Sequence, residues 1–544
     1  MSAPASRRRG AVALAAAVVT GLLAGCAAGT PAPDNAGSSD PVTGGVLTYL
    51  EHQPHTNLYP PQGGFYPNGG ILNNIADRLT YQDPETLEIE PWIATEWTVN
   101  ADATEYTFTI RDDVTFSDGT PLDAAVVAKN FDTYGLGNAA LALTVSEAVN
   151  NYASSEVVDD DTVVFRFTAP APGFLQATST INSGLVSSAT LDLPFEQFGA
   201  GNSAKVIGSG PFVITDEKIG TEITFEARED YDWAPPSLEH QGRAYLDGID
   251  LIVTPEDSVR IGSLLAGQAD YIRYVQAFDE PQVEAAGFSL YAAQTKGVNN
   301  SLNLRFTNPI LSDLRVRQAL VAGVDAQEVV DTIYSKNYPV ATSSLSKSAV
   351  GYKDQSDALE FDPEKAEELL DDAGWAVGSD GIREKDGTPL SLAVYESKPQ
   401  PQSKQALELV SQQLLKIGVE LKVLSADAGT VVSDNKDPLK TPVYHSMVGR
   451  ADLDVIKSQY YSGNRNVLLS NDEKLDELLL AVASEPDAAK RVALDGDVQD
   501  YLTEQAYVIP LFEEPQVYGA APYVEGARFE SVGRPIFYDV WLDE

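Results

Sequence analysis

The chain has 544 residues, with 80 acidic against 37 basic side chains, a formal net charge of −43 and a single cysteine. That charge offers no basic footprint for nucleic acid and repels anionic lipid headgroups, and one cysteine excludes a disulfide framework. The length accommodates two to four domains.

Arg7, Arg8 and Arg9 precede an uncharged apolar run from Ala11 to Ala24. The run falls short of the roughly 20 residues that span a bilayer and has the anatomy of a secretory signal. It ends in Leu23-Ala24-Gly25-Cys26, which resembles a bacterial lipobox: small residues admit a signal peptidase, and Cys26 supplies the thiol for a lipid thioether. A buried structural role is the other reading of Cys26. Cleavage after Gly25 removes three Arg and no acid, which takes the charge from −43 to −46. Residues 26–45, small, polar and rich in Pro, Gly and Ser, read as a flexible tether reaching roughly 20–25 Å.

Gly45 to Leu50 alternates as a first strand, followed by a Pro-, Gly- and aromatic-rich loop from His52 to Gly70. Tyr106, Phe108 and Ile110 alternate with polar neighbours as a half-buried strand, and Val114 and Phe116 continue the pattern. Asp118-Gly119 is a turn signal. Thr120 then caps a helix with Pro121 in its first turn and Val126, Val127 and Phe131 on its buried side. Val213, Ile223 to Glu226 and Ile249 to Val253 are strands, Asp257 to Leu265 is a helix, and Tyr271-Ile272 is a further strand. Asn299 to Phe306 is extended and precedes a helix carrying Arg315. Asp362-Pro363 opens a helix that Gly374 stops. Leu390, Leu392 and Val394 form a strand, Gln402 to Ile417 a helix and Val419, Leu421 and Val423 another strand; this unit implies a parallel right-handed crossover. Lys474 to Ala483 and Ala488 to Leu502 are helices, and Tyr507 to Phe512 is extended.

Ile93-Ala94-Thr95-Glu96-Trp97, Tyr106-Thr107-Phe108 and Phe116-Ser117-Asp118-Gly119-Thr120-Pro121-Leu122 together resemble the signature of the extracellular solute-binding proteins that serve peptide and nickel ABC importers. Ile207-Gly208-Ser209-Gly210-Pro211-Phe212, the segment Tyr231 to Tyr271 and Asp313 to Asp325 are similar to further stretches of that family. The resemblance implies an α/β, two-lobed periplasmic-binding-protein-like fold. Its lobe I would comprise 46–80, 205–298 and 515–544, with an extra strand-rich subdomain at 81–204, and lobe II would comprise 299–514. Two crossings between the lobes would permit closure around a ligand. It also implies a lipid-anchored monomer outside the cytoplasmic membrane that passes a small-molecule or peptide ligand to ABC permease subunits, with no cofactor and no catalysis.

The residues support that absence of catalysis. There is no Gly-x-Ser-x-Gly elbow, phosphate-binding loop or His-Glu-x-x-His, and Gly135-x-Gly137 follows a helix where a dinucleotide turn follows a strand. His52 and His55, near Glu51, have ligand chemistry suited to nickel, zinc or copper. Pro54 between them argues against a paired site, and no metal site is assigned. The stretch Val443 to Tyr461 lies where peptide-binding members carry Gly-Trp-x-x-Asp, whose Asp receives the peptide ammonium. Here Gly449-Arg450-Ala451-Asp452 keeps a glycine and an acid. The resemblance therefore implies that Asp452 holds an ammonium as a charge-assisted pair, with helix capping as its other role. Arg450, in place of the aromatic, asks for a carboxylate or phosphate. Arg305, where the family commonly has Asn, would do the same or pair with a surface acid. Tyr444 and Tyr66 would wall the pocket. The expected ligand is zwitterionic and amino-acid-derived: a peptide-like solute, or a metal held by a carboxylate-rich chelator. Asp452→Ala is expected to weaken binding with folding intact.

Overall fold

The computed structural model describes residues 40–543; Cys26, the signal segment and most of the tether lie outside them. A seven-stranded sheet forms the first lobe, in the order Ser289–Gln294, Pro515–Ala520, Tyr271–Arg273, Val46–Glu51, Gly248–Val253, Glu222–Ala227, Phe212–Lys218. Val46–Glu51 runs parallel to both its neighbours, and the other pairings are antiparallel. Side chains alternate across a strand, and the sheet uses that to serve two cores. Leu47, Tyr49 and Tyr271 enter one core together with residues 81–204, whereas Leu50 and Ile272 enter another together with the second lobe.

The subdomain is a four-stranded antiparallel sheet in the order Ala94–Val99, Glu105–Ile110, Thr162–Phe167, Tyr152–Val157. Tyr106, Phe108 and Ile110 are buried, as their alternation requires. Phe131, on helix Ala124–Leu136, meets Phe165 at 4.9 Å and Phe174 at 5.4 Å between ring centroids. That helix starts later than the sequence suggests. Phe116 N donates to Thr120 O and Leu122 N to Val114 O, so 114–122 is a tight reversal and not a continued strand. Asp123 replaces Thr120 as the cap, its carboxylate accepting from Val126 N at 2.9 Å. The loop read as extending to Gly70 likewise ends early, because a helix runs Tyr66–Ile75.

In the second lobe, Val443–Gly449, Gly297–Leu304 and Val508–Phe512 form an antiparallel sheet with Gly297–Leu304 central. Ser391–Tyr395 and Glu420–Leu424 are parallel and joined by helix Ser403–Lys416, which closes at Gly418 with φ +84°. Two crossings link the lobes. One passes from Gln294 to Gly297 and the other from Phe512 to Pro515, and Thr295 N donates to Glu514 O between them at 3.1 Å. Both lobes are mixed α/β, as the resemblance implies.

The quoted motifs hold this frame together. Ser117 N donates to Gly208 O and Gly210 N to Ile75 O. Arg228 donates to Thr115 O, Phe116 O and Ser209 O and lies 4.9 Å from the Trp233 ring centroid. A Cβ on Gly208 would stand 1.9 Å from Ile75 O, at the end of helix Tyr66–Ile75. Backbone cannot yield as a side chain does, so Gly208→Ala is expected to cost about 3 kcal/mol by urea denaturation; a change under about 0.5 kcal/mol would contradict this close approach.

Candidate functional site

Arg305 follows the central strand of the second lobe. Its backbone N–H bonds Pro442 O, which seats the side chain beneath Tyr444. It is only 2% exposed. Nε donates to Val467 O at 2.9 Å, and Nη1 donates to Thr441 O at 2.8 Å and Thr441 Oγ1 at 2.5 Å. The guanidinium carbon lies 4.8 Å from the Tyr444 ring centroid. Burial pushes its pKa down to about 10, against a smaller opposing effect of Tyr444. Arg305, Tyr444, Ser446 and Gln459 line a cavity of about 480 Å³, which Lys436 and Arg465 also line. Ser446 Oγ accepts from Asn303 Nδ2 at 3.1 Å and Gln459 Nε2 at 2.8 Å, which fixes that part of the lining. Arg465 approaches Glu147 of the subdomain at 3.7 Å.

The other expected residues are engaged elsewhere. Asp452 is held in bidentate fashion by Arg491, Nη1 to Oδ2 at 2.9 Å and Nη2 to Oδ1 at 2.5 Å, and Asp454 N donates to Oδ1 at 2.8 Å. Burial alone would push this carboxyl up, but Arg491 overrides it and holds it well below the usual carboxylate range. Arg450 pairs with Asp454 at 2.8 Å and donates to Ser458 Oγ at 2.5 Å. A guanidinium is thus already spent on each carboxylate of Ala451-Asp452-Leu453-Asp454, which is why neither Asp452 nor Arg450 matches the role the resemblance gave it. Nor is Asp452 the cap of helix Val455–Tyr460; Asp454 holds that position. This four-charge group faces the subdomain. Asn150 Nδ2 donates to Asp454 Oδ2 at 3.2 Å, and a Cβ on Gly173 would come within 3.0 Å of Asp452 Oδ1.

Tyr66 lies away from the Tyr444 cavity, in the first lobe. Arg273 and Arg534 stand 4.7 Å and 4.8 Å from its ring centroid, and its hydroxyl meets Thr295 Oγ1 at 3.1 Å and Val532 O. His52 bonds Glu51 at 2.8 Å and stacks on Tyr274, while His55 bonds Ser203 Oγ at 3.1 Å, so the two imidazoles have separate partners. Among the described residues, no group of three or more His, Cys, Asp or Glu is placed to hold a metal.

Sequence reasoning singled out Arg305 and Tyr444 but missed Gln459, Arg465, Lys436 and Arg491. Gln459 could have been found: Val455-Ile456 signal a short helix, and Gln459 lies one turn along it. Arg491 carries no local signal, since it reaches Asp452 from a helix, Ala488–Glu504, 39 residues away.

Comparison with known proteins agrees with this architecture. The profile of the bacterial extracellular solute-binding proteins, family 5 Middle, matches residues 88–461. The nickel-binding periplasmic protein of Escherichia coli (strain K12) is 23% identical over 531 residues, covering 88% of this chain and 89% of the relative. NikA from Brucella suis in complex with Fe(III)-EDTA superposes with a TM-score of 0.77 at 25% identity, covering 91% of this chain and all of that one. The oligopeptide-binding protein AppA from Bacillus subtilis, in complex with a nonapeptide, does so with a TM-score of 0.76 at 21% identity, covering 93% and 100%. These relatives are binding proteins and not enzymes, and so is this chain. With well over half its length matched and its two lobes, subdomain and paired crossings in place, the chain belongs to the bacterial extracellular solute-binding proteins of family 5.

Proposed function

We propose that this is the substrate-binding lipoprotein of an ABC importer, a monomer tethered through Cys26 to the outer face of the cytoplasmic membrane. It captures a peptide-like or other amino-acid-derived solute between its lobes and delivers it to the permease. The carrying observation is the pair of two-residue crossings between two α/β lobes, a geometry suited to closure on a solute. The relatives named for nickel and for Fe(III)-EDTA favour a second reading, a metal carried in a carboxylate-rich chelator. Of the residues first expected to contact the ligand, Arg305 and Tyr444 keep that role in this reading, while Asp452, Arg450 and Tyr66 act in holding the protein together.

Thermal shift against trialanine, a nickel–histidine complex and maltotriose tests this reading. A true ligand at 100 times its dissociation constant stabilises the protein by about 2.7 kcal/mol and lowers the radius of gyration in scattering. Stabilisation by the sugar alone would overturn it. In cells, palmitate labelling is expected to vanish in Cys26→Ser, and persistent labelling would remove the anchor.

A further inference from the structure

The cavity beneath Tyr444 runs against the charge of the chain. Its charged lining residues are Arg305, Lys436 and Arg465, with no carboxylate, although acids outnumber bases 80 to 37 overall. Lys436 and Arg465 are exposed, Arg465 with Glu147 of the subdomain 3.7 Å away, whereas Arg305 is buried against the Tyr444 ring. Among the described residues, no carboxylate pairs with Arg305, and its Nη2 makes no hydrogen bond; Nε and Nη1 alone tie down Val467 and Thr441. A buried charge without a counter-ion is costly, and two carbonyl contacts do not require a cation. Close by, Gln459 Oε1 and Asn435 Oδ1 are buried acceptors without partners among the described residues.

We propose that the solute is held here by an oxyanion, a carboxylate or phosphate group, paired with Arg305 Nη2. Lys436 and Arg465 draw the anion in, and Gln459 and Asn435 accept from N–H groups beside it. A free ammonium is not required, which sets this apart from the zwitterionic ligand expected of the sequence. The proposal rests on the solute-binding reading above and specifies its ligand: an anionic, amide-containing solute recognised by its acidic end. A ligand counter-ion at a buried guanidinium also fits charge-assisted, planar pairing, the geometry in which Arg differs from Lys.

The test is calorimetric titration of the full mature chain with trialanine, N-acetyl-trialanine, trialanine amide, citrate and inorganic phosphate. The two peptide acids are expected to bind alike and the amide at least about 100-fold more weakly, with the same loss for the acids in Arg305→Met. Lys436→Gln with Arg465→Gln, both at exposed positions, is expected to weaken the acids several-fold and flatten their salt dependence. This second variant keeps the test open if Arg305→Met does not fold. Equal binding of acid and amide would overturn the oxyanion site while leaving a peptide-binding protein. Binding of citrate or phosphate alone, dependent on Arg305 or on the exposed pair, would support the site and overturn the peptide reading. Binding insensitive to both variants, or no binding to any probe at 10 mM (roughly the weak limit of a specific site), would overturn the proposal.

Discussion

Asp452→Ala is expected to destabilise the protein by about 3–5 kcal/mol, the opposite of the folding-neutral binding defect that the sequence suggests. The side chains of Asp452 and Arg491 are 10% and 8% exposed, so deleting the carboxylate strands a buried guanidinium. The neighbouring Asp454 is already claimed by Arg450, and burial pushes the carboxyl of Asp495, the other acid close to Arg491, well above its usual range. Asp452→Asn should lose nearly as much, because the charge, and not the shape, is the missing part. Arg491→Met added to Asp452→Ala should recover a good share by removing the orphan, as a coupled pair does. Urea denaturation at neutral pH measures all three. The dependence on pH has a definite sign. The folded carboxyl is depressed, net of a burial effect that raises it, so its contribution is complete above about pH 4, the unfolded value, and fades as the pH falls below that. Wild type and Asp452→Ala should therefore converge in acid. A variant of wild-type stability that nevertheless lost binding would restore Asp452 to the ligand.

Glu514 is expected to reverse the usual acid behaviour of a carboxylate. It sits in the second crossing, where Oε2 accepts from Asn300 Nδ2 at 2.6 Å and Oε1 from Gln516 Nε2 at 3.1 Å. Burial raises its pKa from 4.5 to about 7, against weaker lowering by Asn300, Gln516 and Arg273. Between those two values the folded state binds the proton that the unfolded state has released. Stability contributed by this group accordingly falls as pH rises from about 4.5 to about 7, then levels off, a span worth about 3 kcal/mol. Glu514→Gln removes that slope and should be the more stable protein at pH 8. Denaturation from pH 5 to 8 reads the difference; parallel curves for the two proteins would show that Glu514 ionises freely in the fold.

Local pattern carried most of the architecture. Period-two runs such as Tyr106, Phe108 and Ile110 became buried strands, and the strand–helix–strand unit at 391–424 is parallel as its connection demands. The errors were ones of register. Thr120-Pro121 has the chemistry of a helix start, but backbone hydrogen bonds across 114–122 claim it for a turn. The site was less legible, because charge identity does not reveal the partner. Asp452, Arg450 and Arg305 are three buried charges with similar sequence credentials. Asp452 is neutralised by Arg491, which only the tertiary fold brings near, and Arg450 by Asp454 four residues on, whereas Arg305 is left without an acid among the described residues. The family motifs were legible for a related reason. Ser117, Gly208 and Gly210 meet one another or helix Tyr66–Ile75 through backbone contacts, which tolerate little change of residue.

The order of strands in the first lobe also bears on how the chain must be made. Pro515–Ala520 lies between Ser289–Gln294 and Tyr271–Arg273 and is, among the described residues, the only strand joining them. During synthesis and export, everything N-terminal to residue 515 emerges before that strand does. Tyr271–Arg273 and Ser289–Gln294 then present unpaired edges while more than 200 residues of the second lobe follow. Such edges invite pairing with other chains, and late, distant strand pairing is slow. The nascent first lobe is therefore a natural client for a holding chaperone until the C-terminal strand inserts and zips the sheet shut.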